Sequence, residues 1–368
     1  MPDTGVPLPD RVRLVVLFGG RSPEHDVSRV SAREVIAALD RDRYDIVPVG
    51  IDRDGTWMLS ESTRDRLHSG EELPPALEVG GQPVAPLPEL HRSAGAAPVV
   101  VLPVLHGPNG EDGTVQGLLE LAGVPYVGSG VLGSSLSMDK AKAKEVLAAA
   151  GIPQAAHRSL TRWQLAGEEG DARRGDLVAT LGLPIFVKPA NMGSSIGVTR
   201  ASTREELDVA ITTALDYDDW LVFEEAVDGR EIEIGVLGTT DLRTSVPGEV
   251  VPGAEFYDYD DKYRNGAAQI VIPAQLPPGV AEEMSQLARR TFQALRADVL
   301  ARVDFFYEEG GRGLLVNELN TLPGCTPVSM FPLLWEATGL PYAAMLDELV
   351  RLALERHRRR HRDRAANP

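Results

Sequence analysis

The sequence reads RVDFFYEEGGRGLLVNELNTLPG over residues 302–324, and this stretch decides the fold. Two short apolar runs flank the glycine-rich segment 308–313, which predicts two strands joined by a turn. Side chains of a strand alternate between its two faces, so Arg302 shares a face with Asp304 and Glu318 shares one with Asn320. If the strands pair with these faces aligned, two carboxylates, one amide and one guanidinium converge.

Carboxylate and amide oxygens suit Mg²⁺, which keeps waters and bridges to substrate phosphates. A neighbouring arginine can stabilise negative charge that develops in a transition state. The alternative is a solvated hairpin with polar residues on one face. Leu314 and Val316 precede Glu318 at even spacing, so we place them on its face and interpret the strand as a core strand that runs into a site.

Composition restricts the class of protein. The 368 residues suffice for two or three domains, and hydrophobic and charged contents of 43% and 25% are ordinary for a globular protein. A formal charge of −17 argues against a nucleic-acid or anionic-membrane surface, and the single Cys325 excludes an intrachain disulfide framework. The first apolar run, 12–18, is too short for a signal peptide, and no run approaches the ~18 residues of a membrane span. These features predict a cytoplasmic α/β protein.

The N-terminal region predicts a βαβ unit. The run 12–18 reads as a buried strand, Ala32, Val35, Ile36 and Leu39 recur at helical spacing, and 44–51 reads as the next strand. The junction lacks G-x-G-x-x-G, and from this segment alone Glu24 is better explained by the helix dipole than by function. The loop from His106 to Gly113 follows another buried-strand run, at the sheet edge where ligands bind, although a plain turn explains it about equally well.

Further segments carry polar groups between regular elements. A helix is expected from about 138 to 150, and Lys140 in its first turn is usually surface charge. Lys188 ends a short strand and the loop 191–198 follows; together they can bind phosphates, though a hairpin turn explains them nearly as well. We expect an exposed loop at 167–178, a lid within the irregular segment 246–274 and a solvated helix end at 356–364.

Six blocks, taken in this order, make the sequence resemble D-alanine–D-alanine ligases of the ATP-grasp superfamily. They are FGGRSPEHDVS (18–28), HGPNGEDGTVQG (106–117), MDK (138–140), VKPANMGSS (187–195), FYDYDDKY (256–263) and RVDF with NELNTLPG (302–305, 317–324). The similarity covers roughly residues 12 to 358. Cys325 stands where the family often has a bulkier apolar residue, and segment 167–178 looks enlarged.

The resemblance implies an α/β fold, α+β in the C-terminal half: an ATP-grasp fold with a Rossmann-like N-terminal domain. The implied domains are 1–136, a central lid-like subdomain 137–236 and a C-terminal subdomain 237–368. ATP would phosphorylate the carboxylate of one D-alanine, and the amine of a second would displace the phosphate, making a peptidoglycan precursor. ATP, two Mg²⁺ or Mn²⁺ ions and a homodimer are implied.

The resemblance also assigns roles to residues of this sequence. The implied metal ligands are Asp304, Glu318 and Asn320. The implied nucleotide contacts are Lys140, Lys188, Ser195, Glu224, Glu225, Ala226, Val227, Glu231, Lys262 and Asn317. Glu24 and His106 would bind the first substrate, Ser329 and Met330 the second, and Arg302 with the Gly324 N–H would stabilise the oxyanion. Glu24, Ser194 and Tyr263 would form one hydrogen-bonded set.

Two alternatives remain. A D-alanine–D-lactate ligase would share the fold and differ in its lid and acceptor. A catalytically silent nucleotide-binding regulator would lack a metal ligand or a phosphate-binding lysine, and this sequence retains all of them.

Overall fold

The computed structural model describes residues 7–90, 97–251 and 269–365. They form three sheets, each covered by helices. Within these ranges no helix has both the length and the apolar character that crossing a bilayer requires.

The first sheet has the strand order β4-β3-β2-β1-β5. Its strands are β1 (Val12–Gly19), β2 (Tyr44–Ile51), β3 (Trp57–Leu59), β4 (Gln82–Pro83) and β5 (Val99–Val104). Its helices are α1 (His25–Ala38), α2 (Glu61–Ser69), α3 (Pro86–Leu90), α4 (Thr114–Ala122) and α5 (Val131–Met138). β1 is buried along its whole length and lies parallel to β2 and β5, which confirms the predicted βαβ unit.

The second sheet is antiparallel, with the order β6-β9-β7-β8. Its strands are β6 (His157–Thr161), β7 (Ile185–Pro189), β8 (Thr199–Ala201) and β9 (Trp220–Glu225). The helices beside it are α6 (Lys140–Ala149), a 3-10 turn (Arg162–Leu165), α7 (Gly167–Leu181) and α8 (Arg204–Ala214).

Helix α7 occupies the segment expected to be an exposed loop, so that expectation is wrong. Its glycines each cost about 1 kcal/mol in a helix, which is why the local sequence indicated a loop. Gly170 is required all the same, because a Cβ there would lie 2.1 Å from the Leu165 carbonyl oxygen. Leu177 and Leu181, one turn apart, are buried against the second sheet and outweigh the glycine penalty.

The third sheet has the order β13-β12-β10-β14-β15, with β11 also paired to β10. Its strands are β10 (Arg230–Gly238), β11 (Arg243–Thr244), β12 (Gly248–Val251), β13 (Gln269–Val271), β14 (Val299–Glu308) and β15 (Gly313–Asn320). Its helices are α9 (Val280–Ala294), α10 (Met330–Ala337) and α11 (Tyr342–Ala365). Strands β12 and β13 lie in the segment expected to be irregular, and 252–268 fall outside the described residues.

The sheet to which each strand belongs indicates where the domain boundaries lie. β10 belongs to the third sheet and starts at residue 230, so a boundary at residue 237 would cut through this strand. The chain changes sheet between β9 and β10, and we place the boundary at 226–229. Helix α11 also crosses the expected division, because Leu346 and Leu349 pack in one core with Val12 and Phe18 of β1.

The basic end of α11 is solvated only in part, because Arg358 and His361 are exposed whereas Arg356 is not. Arg356 is buried and its guanidinium stacks 4.1 Å from the ring centroid of Tyr126. It also lies 3.1 Å from a Glu120 carboxylate oxygen, and Arg359 contacts Asp298 at 3.1 Å. The expectation is wrong for Arg356 because a run of arginines looks the same in sequence whether it meets water or acids contributed by distant elements.

Candidate active site

The hairpin β14–β15 brings the predicted polar set together. Arg302 lies opposite Asn320, and Asp304 lies opposite Glu318. Asn320 Nδ2 donates to Asp304 Oδ2 at 2.9 Å and lies 3.4 Å from Glu318 Oε1. The predicted convergence of these four side chains is therefore confirmed.

A β-bulge changes which apolar residues share the face of the site. Asp304 pairs with Glu318 but Phe305 pairs with Val316, which leaves Asn317 as the extra residue. A bulge shifts the alternation by one position, so Leu314 and Val316 pack in the core with Phe305. Their predicted place on the face of Glu318 is wrong, although the strand does run from a core into the site.

Arg302 is held between two carboxylates. Its Nε lies 2.7 Å from Asp304 Oδ1 and 2.8 Å from Glu233 Oε2. Burial opposes the charge of this guanidinium, but Asp304 and Glu233 outweigh burial and raise the pKa of Arg302 well above its usual value. Glu233 was missed in the sequence, where it is one polar position in an alternating strand. Its role depends on pairing with Asp304 across the sheet.

The oxygen donors fit a hard divalent cation. No group of three or more His, Cys, Asp or Glu side chains is arranged for a metal within the described ranges. The hairpin instead offers two carboxylates and one amide within hydrogen-bonding reach, a donor set that Mg²⁺ accepts when waters and phosphate oxygens complete its coordination. Lys140 Nζ lies 3.8 Å from Glu318 Oε2.

Lysines cluster around the carboxylate of Glu224 at the end of β9. Lys188 Nζ donates to its Oε2 at 3.0 Å, and Lys144 Nζ lies 3.3 Å from its Oε1. Burial alone would raise the pKa of Glu224, but the two lysines outweigh it and lower this pKa to about 2. Lys140 donates to the Met192 carbonyl oxygen at 2.6 Å with a side chain 17% exposed, so it is not a free surface charge.

The loop after β7 reaches the first sheet. Ser194 Oγ donates to Glu24 Oε1, and Ser194 and Ser195 both adopt left-handed backbone conformations, at φ 46° and 58°. Two such residues in sequence are strained outside glycine, and this strain commonly marks a functional loop. The loop does join the antiparallel strands β7 and β8, as the alternative of a hairpin turn expected, but a turn alone does not account for a contact 170 residues away along the chain.

Glu24 lies at the start of α1 but its side chain does not cap that helix. It is buried, and its Oε2 finds no hydrogen-bond partner among residues 7–90, 97–251 and 269–365. A Cβ at Gly107 would lie 2.6 Å from this oxygen, and one at Gly193 2.8 Å. The dipole interpretation of Glu24 is therefore insufficient, because the side chain turns toward the loops and leaves one carboxylate oxygen for a ligand.

The loop after β5 places two titratable groups near Glu24. Burial lowers the pKa of His106, against the opposing charge of Glu24, and its Nε2 lies 3.4 Å from Ser31 Oγ. Burial and the charge of Glu24 raise the pKa of Glu111 to about 8, although the Gly107 N–H donates to it at 2.7 Å. Glu111 is thus a largely protonated carboxyl at neutral pH. Sequence reasoning noticed its loop but gave this residue no role.

The loop between β15 and α10 forms the remaining wall. Ser329 precedes the first residue of α10, and its Oγ lies 2.7 Å from Thr326 Oγ1. A Cβ at Gly324 would lie 3.1 Å from the same Oγ, so the backbone approaches closely here. Cys325 is buried, and burial raises the pKa of its thiol to about 12, which keeps it protonated.

One cavity of about 1210 Å³ joins these groups. All three sheets contribute to its lining, through residues such as Glu24, His106, Lys140, Lys188, Ser194, Arg302, Asp304, Glu318, Asn320, Gly324, Ser329 and Met330. A single small ligand usually occupies ~300–1,000 Å³, so this space suits a nucleotide together with smaller molecules.

Two family models match the chain. One described as D-ala D-ala ligase N-terminus covers residues 13–129, and one described as D-ala D-ala ligase C-terminus covers 146–351. The chain belongs to the D-alanine–D-alanine ligase family. A D-alanine--D-alanine ligase of Deinococcus radiodurans is 47% identical to it, over 93% of this chain and 98% of the relative.

Solved structures of ligases share the fold. The D-alanine-D-alanine ligase of Coxiella burnetii superposes with a TM-score of 0.79 at 32% identity, over 97% of this chain and 98% of that one. The VanG D-Ala:D-Ser ligase of Enterococcus faecalis gives 0.78 at 33% identity, over 93% and 99%. The chain thus has the ATP-grasp fold of the D-alanine–D-alanine ligases, as the resemblance implied.

The remaining residues assigned by the family resemblance fall into three groups. Ser195, Glu224, Glu225, Val227, Glu231 and Asn317 line the cavity. Ala226 is not part of the described lining, and its N–H donates to the Pro184 carbonyl oxygen at 3.2 Å. Lys262 and Tyr263 lie outside the described residues, and so does most of the expected lid.

Proposed function

We propose that this protein joins two D-alanine molecules into D-alanyl-D-alanine at the expense of ATP, for peptidoglycan precursor synthesis. The observation that carries the proposal is the convergence of lysines, an oxygen-donor hairpin and the half-satisfied carboxylate of Glu24 around one cavity. A nucleotide, a metal and an amino acid each find groups of suitable charge there.

The nucleotide would lie between the second and third sheets. Lys140 and Lys188, with Lys262 of the lid, are proposed to bind its phosphates, and the backbone at Ser195 can donate N–H groups to them. The proposed base and ribose contacts are Glu224, Glu225, Ala226, Val227 and Glu231, with Asn317 beside the phosphates. Most of these residues already line the cavity.

The first D-alanine would bind through its ammonium to Glu24, because Oε2 of this carboxylate is buried without a hydrogen-bond partner among the described residues. His106 lies beside Glu24, and its lowered pKa keeps it neutral, so it would not repel the ammonium. Ser194 holds the other oxygen of Glu24, and Tyr263 is proposed to join this pair when the lid closes.

The chemistry would proceed in two displacements. A carboxylate oxygen of the first D-alanine attacks the γ-phosphorus of ATP, ADP leaves and an acyl phosphate forms. The neutral amine of the second D-alanine then attacks the acyl carbon, and inorganic phosphate departs with the bonding electrons. Arg302 and the Gly324 N–H are proposed to stabilise the oxyanion, and a closed lid within 246–270 would keep water from the acyl phosphate.

Mg²⁺ or Mn²⁺, as two ions, would be held by Asp304, Glu318 and Asn320. The two carboxylates and the amide fit this group, provided that the amide of Asn320 turns its oxygen toward the ion in place of the nitrogen that now donates to Asp304. When bound, the metal would neutralise phosphate charge and orient the phosphoryl group.

The second substrate is proposed to bind its carboxylate near Ser329 and Met330, at the start of α10, where a helix N-terminus favours an anion. D-lactate is the alternative acceptor. A site made for it would gain from a cationic group that repels ammonium, and the sequence 246–270 contains no histidine. D-alanine should therefore be preferred, increasingly so as pH rises and more free amine is present.

A homodimer and a cytoplasmic location belong to the same proposal, since both follow from the family and from the place of its reaction. The alternative of a silent nucleotide-binding regulator has less support, because Lys140 and Lys188, the proposed phosphate-binding lysines of the described chain, and all three proposed metal ligands line the cavity.

The test is phosphate release from ATP with Mg²⁺ and single D- or L-amino acids, followed by mass analysis of the product. We expect release with D-alanine and not with L-alanine, and D-alanyl-D-alanine as the product. With D-alanine and D-lactate together at neutral pH, depsipeptide as the main product would overturn the choice of acceptor. No release with any acceptor would overturn the ligase proposal.

A further inference from the structure

Lys144 is a buried lysine for which the proposed reaction has so far had no use. Helix α6 carries lysines at 140, 142 and 144, and residues four apart lie on the same face of a helix. Lys140 and Lys144 therefore face inward. The side chain of Lys144 is 3% exposed, while that of Lys142 is 47% exposed and pairs with Glu145 at 2.9 Å.

Lys144 is buried behind the wall of the large cavity. Among the described residues, the lining of the large cavity includes Lys188 and Glu224 but not Lys144. Lys144 borders a separate small cavity of about 10 Å³, room for one water at most. Lys144 contacts Glu224, which lines both cavities, so Lys144 can act on a ligand of the large cavity through this carboxylate.

Lys144 and Lys188 share one carboxylate in different ways. Lys188, 13% exposed, donates a well-formed hydrogen bond to Glu224. Lys144 Nζ and Glu224 Oε1 are 3.3 Å apart, and neither atom has an aligned hydrogen bond within the described part of the chain. Burying a charge without good hydrogen-bond geometry costs several kcal/mol per ion. The stability of the fold therefore does not explain why a lysine occupies this buried position.

The net charge of Lys144, Lys188 and Glu224 suggests why Lys144 is present. Glu224 can neutralise only one of its two lysines, so the trio keeps one surplus positive charge beside the cavity. Lys188 donates to Glu224, and it is inferred to leave this carboxylate when it binds phosphates. Without Lys144, that departure would leave Glu224 buried and unpaired, and Lys188 would stay where it is.

We propose that Lys144 is a positioning residue that neutralises Glu224, so that Lys188 is free to bind the phosphates of the nucleotide. The inference rests on the proposed phosphate-binding role of Lys188. It predicts that Lys144 strengthens phosphate binding without touching a phosphate, and that this effect disappears when Glu224 carries no charge.

The test uses the full chain with Mg²⁺ and measures calorimetric affinity for ATP and for inorganic tripolyphosphate, which has no base. Lys144→Met keeps the length of the side chain and removes its charge, and we expect both ligands to bind about tenfold more weakly or worse. Lys142→Met is the matched control on the same helix, and its affinities should stay within about twofold of wild type.

A second substitution separates charge balance from mere packing. In Lys144→Met combined with Glu224→Gln, Lys188 has no carboxylate to hold it, so tripolyphosphate affinity should return to within about threefold of wild type. A packing defect would persist in the double variant. If Lys144→Met alone does not fold, Glu224→Gln and the double variant should still bind tripolyphosphate equally well.

Three other results would overturn the inference about Lys144. Unchanged tripolyphosphate affinity in a folded Lys144→Met variant would overturn the inference and leave the ligase proposal intact. A double variant that binds tenfold more weakly than Glu224→Gln would also overturn it, because Lys144 would then act independently of Glu224. If the wild-type chain bound neither ATP nor tripolyphosphate, the proposed nucleotide site would fail, and the inference with it.

Discussion

Two ion clusters beside the cavity have opposite charge balances. The acidic cluster sets Arg302 against three acids, Glu233, Asp304 and Glu318, so it keeps a surplus negative charge. The lysine cluster sets Glu224 against Lys144 and Lys188, so it keeps a surplus positive charge. Both clusters are largely shielded from solvent, where charges interact strongly and a surplus is costly.

The difference shows how one site can be prepared for ligands of opposite charge. In each cluster the side chains of one charge outnumber the opposite charges beside them. The acidic cluster suits a cation and the lysine cluster suits an anion, and a metal–nucleotide complex supplies both at once. A structural ion cluster, such as Arg356 with Glu120 and Asp298, instead joins two parts of the fold.

The largest expected effect comes from weakening the acidic cluster. Glu318→Gln keeps the shape of the side chain and removes one negative charge, so turnover should fall on the order of 100-fold or more at limiting Mg²⁺. Circular dichroism should show an unchanged fold. Glu309→Gln, at the exposed turn of the same hairpin, is the matched control. Near-normal turnover in Glu318→Gln would contradict the metal assignment.

A smaller effect is expected from changing the partner of Arg302. With Glu233→Gln, Arg302 would rely on Asp304 alone and compete with the metal for that carboxylate. The Mg²⁺ concentration that gives half-maximal turnover should rise about tenfold, while the KM for ATP at saturating Mg²⁺ changes little. A titration of turnover against Mg²⁺ measures this. If the maximal rate fell but the half-maximal Mg²⁺ concentration stayed the same, Glu233 would not affect the competition between Arg302 and the metal for Asp304.

The smallest effect concerns a carboxyl outside both clusters. Burial and Glu24 raise the pKa of Glu111 from 4.5 to about 8, so the folded state keeps a proton that the unfolded state loses. The stabilisation from this proton is complete below pH 4.5 and is lost as pH rises toward 8. Glu111→Gln stays neutral, so at pH 8.5 it should unfold roughly 2–4 °C above wild type. At pH 5 the two should be closer, and an equal difference at both values would count against a protonated Glu111.

Much of this architecture follows from short-range patterns in the sequence. The buried run of β1 and the alternation around the glycine-rich turn at 308–313 predicted elements that the structure contains. These predictions succeed because period and turn residues are local properties of the chain. Helix α7 was missed because its glycines lower local propensity while its stabilising contacts are tertiary.

The ion clusters could not be predicted from local sequence patterns. Lys140, Lys142 and Lys144 stand in one run of alternating lysine and alanine, and tertiary packing decides that Lys144 is buried while Lys142 is exposed. Glu233 meets Arg302 through pairing of strands about seventy residues apart. The bulge at Asn317 places Leu314 and Val316 on the opposite face of β15 from the one that strict alternation predicts. No glycine or proline marks this bulge in the sequence.

The packing of α11 has a consequence for the order in which the chain is made. Asp347 receives a hydrogen bond from Tyr44 Oη at 2.6 Å and lies 3.1 Å from Arg43 Nη1, and Leu346 and Leu349 complete a core that includes Val12. Strands β1 and β2 are therefore covered by a helix that is synthesised about 300 residues later. Until α11 emerges, part of that early core stays exposed to the cell's chaperones. We expect a chain that stops before Tyr342 to accumulate as an aggregating species rather than as a smaller folded domain.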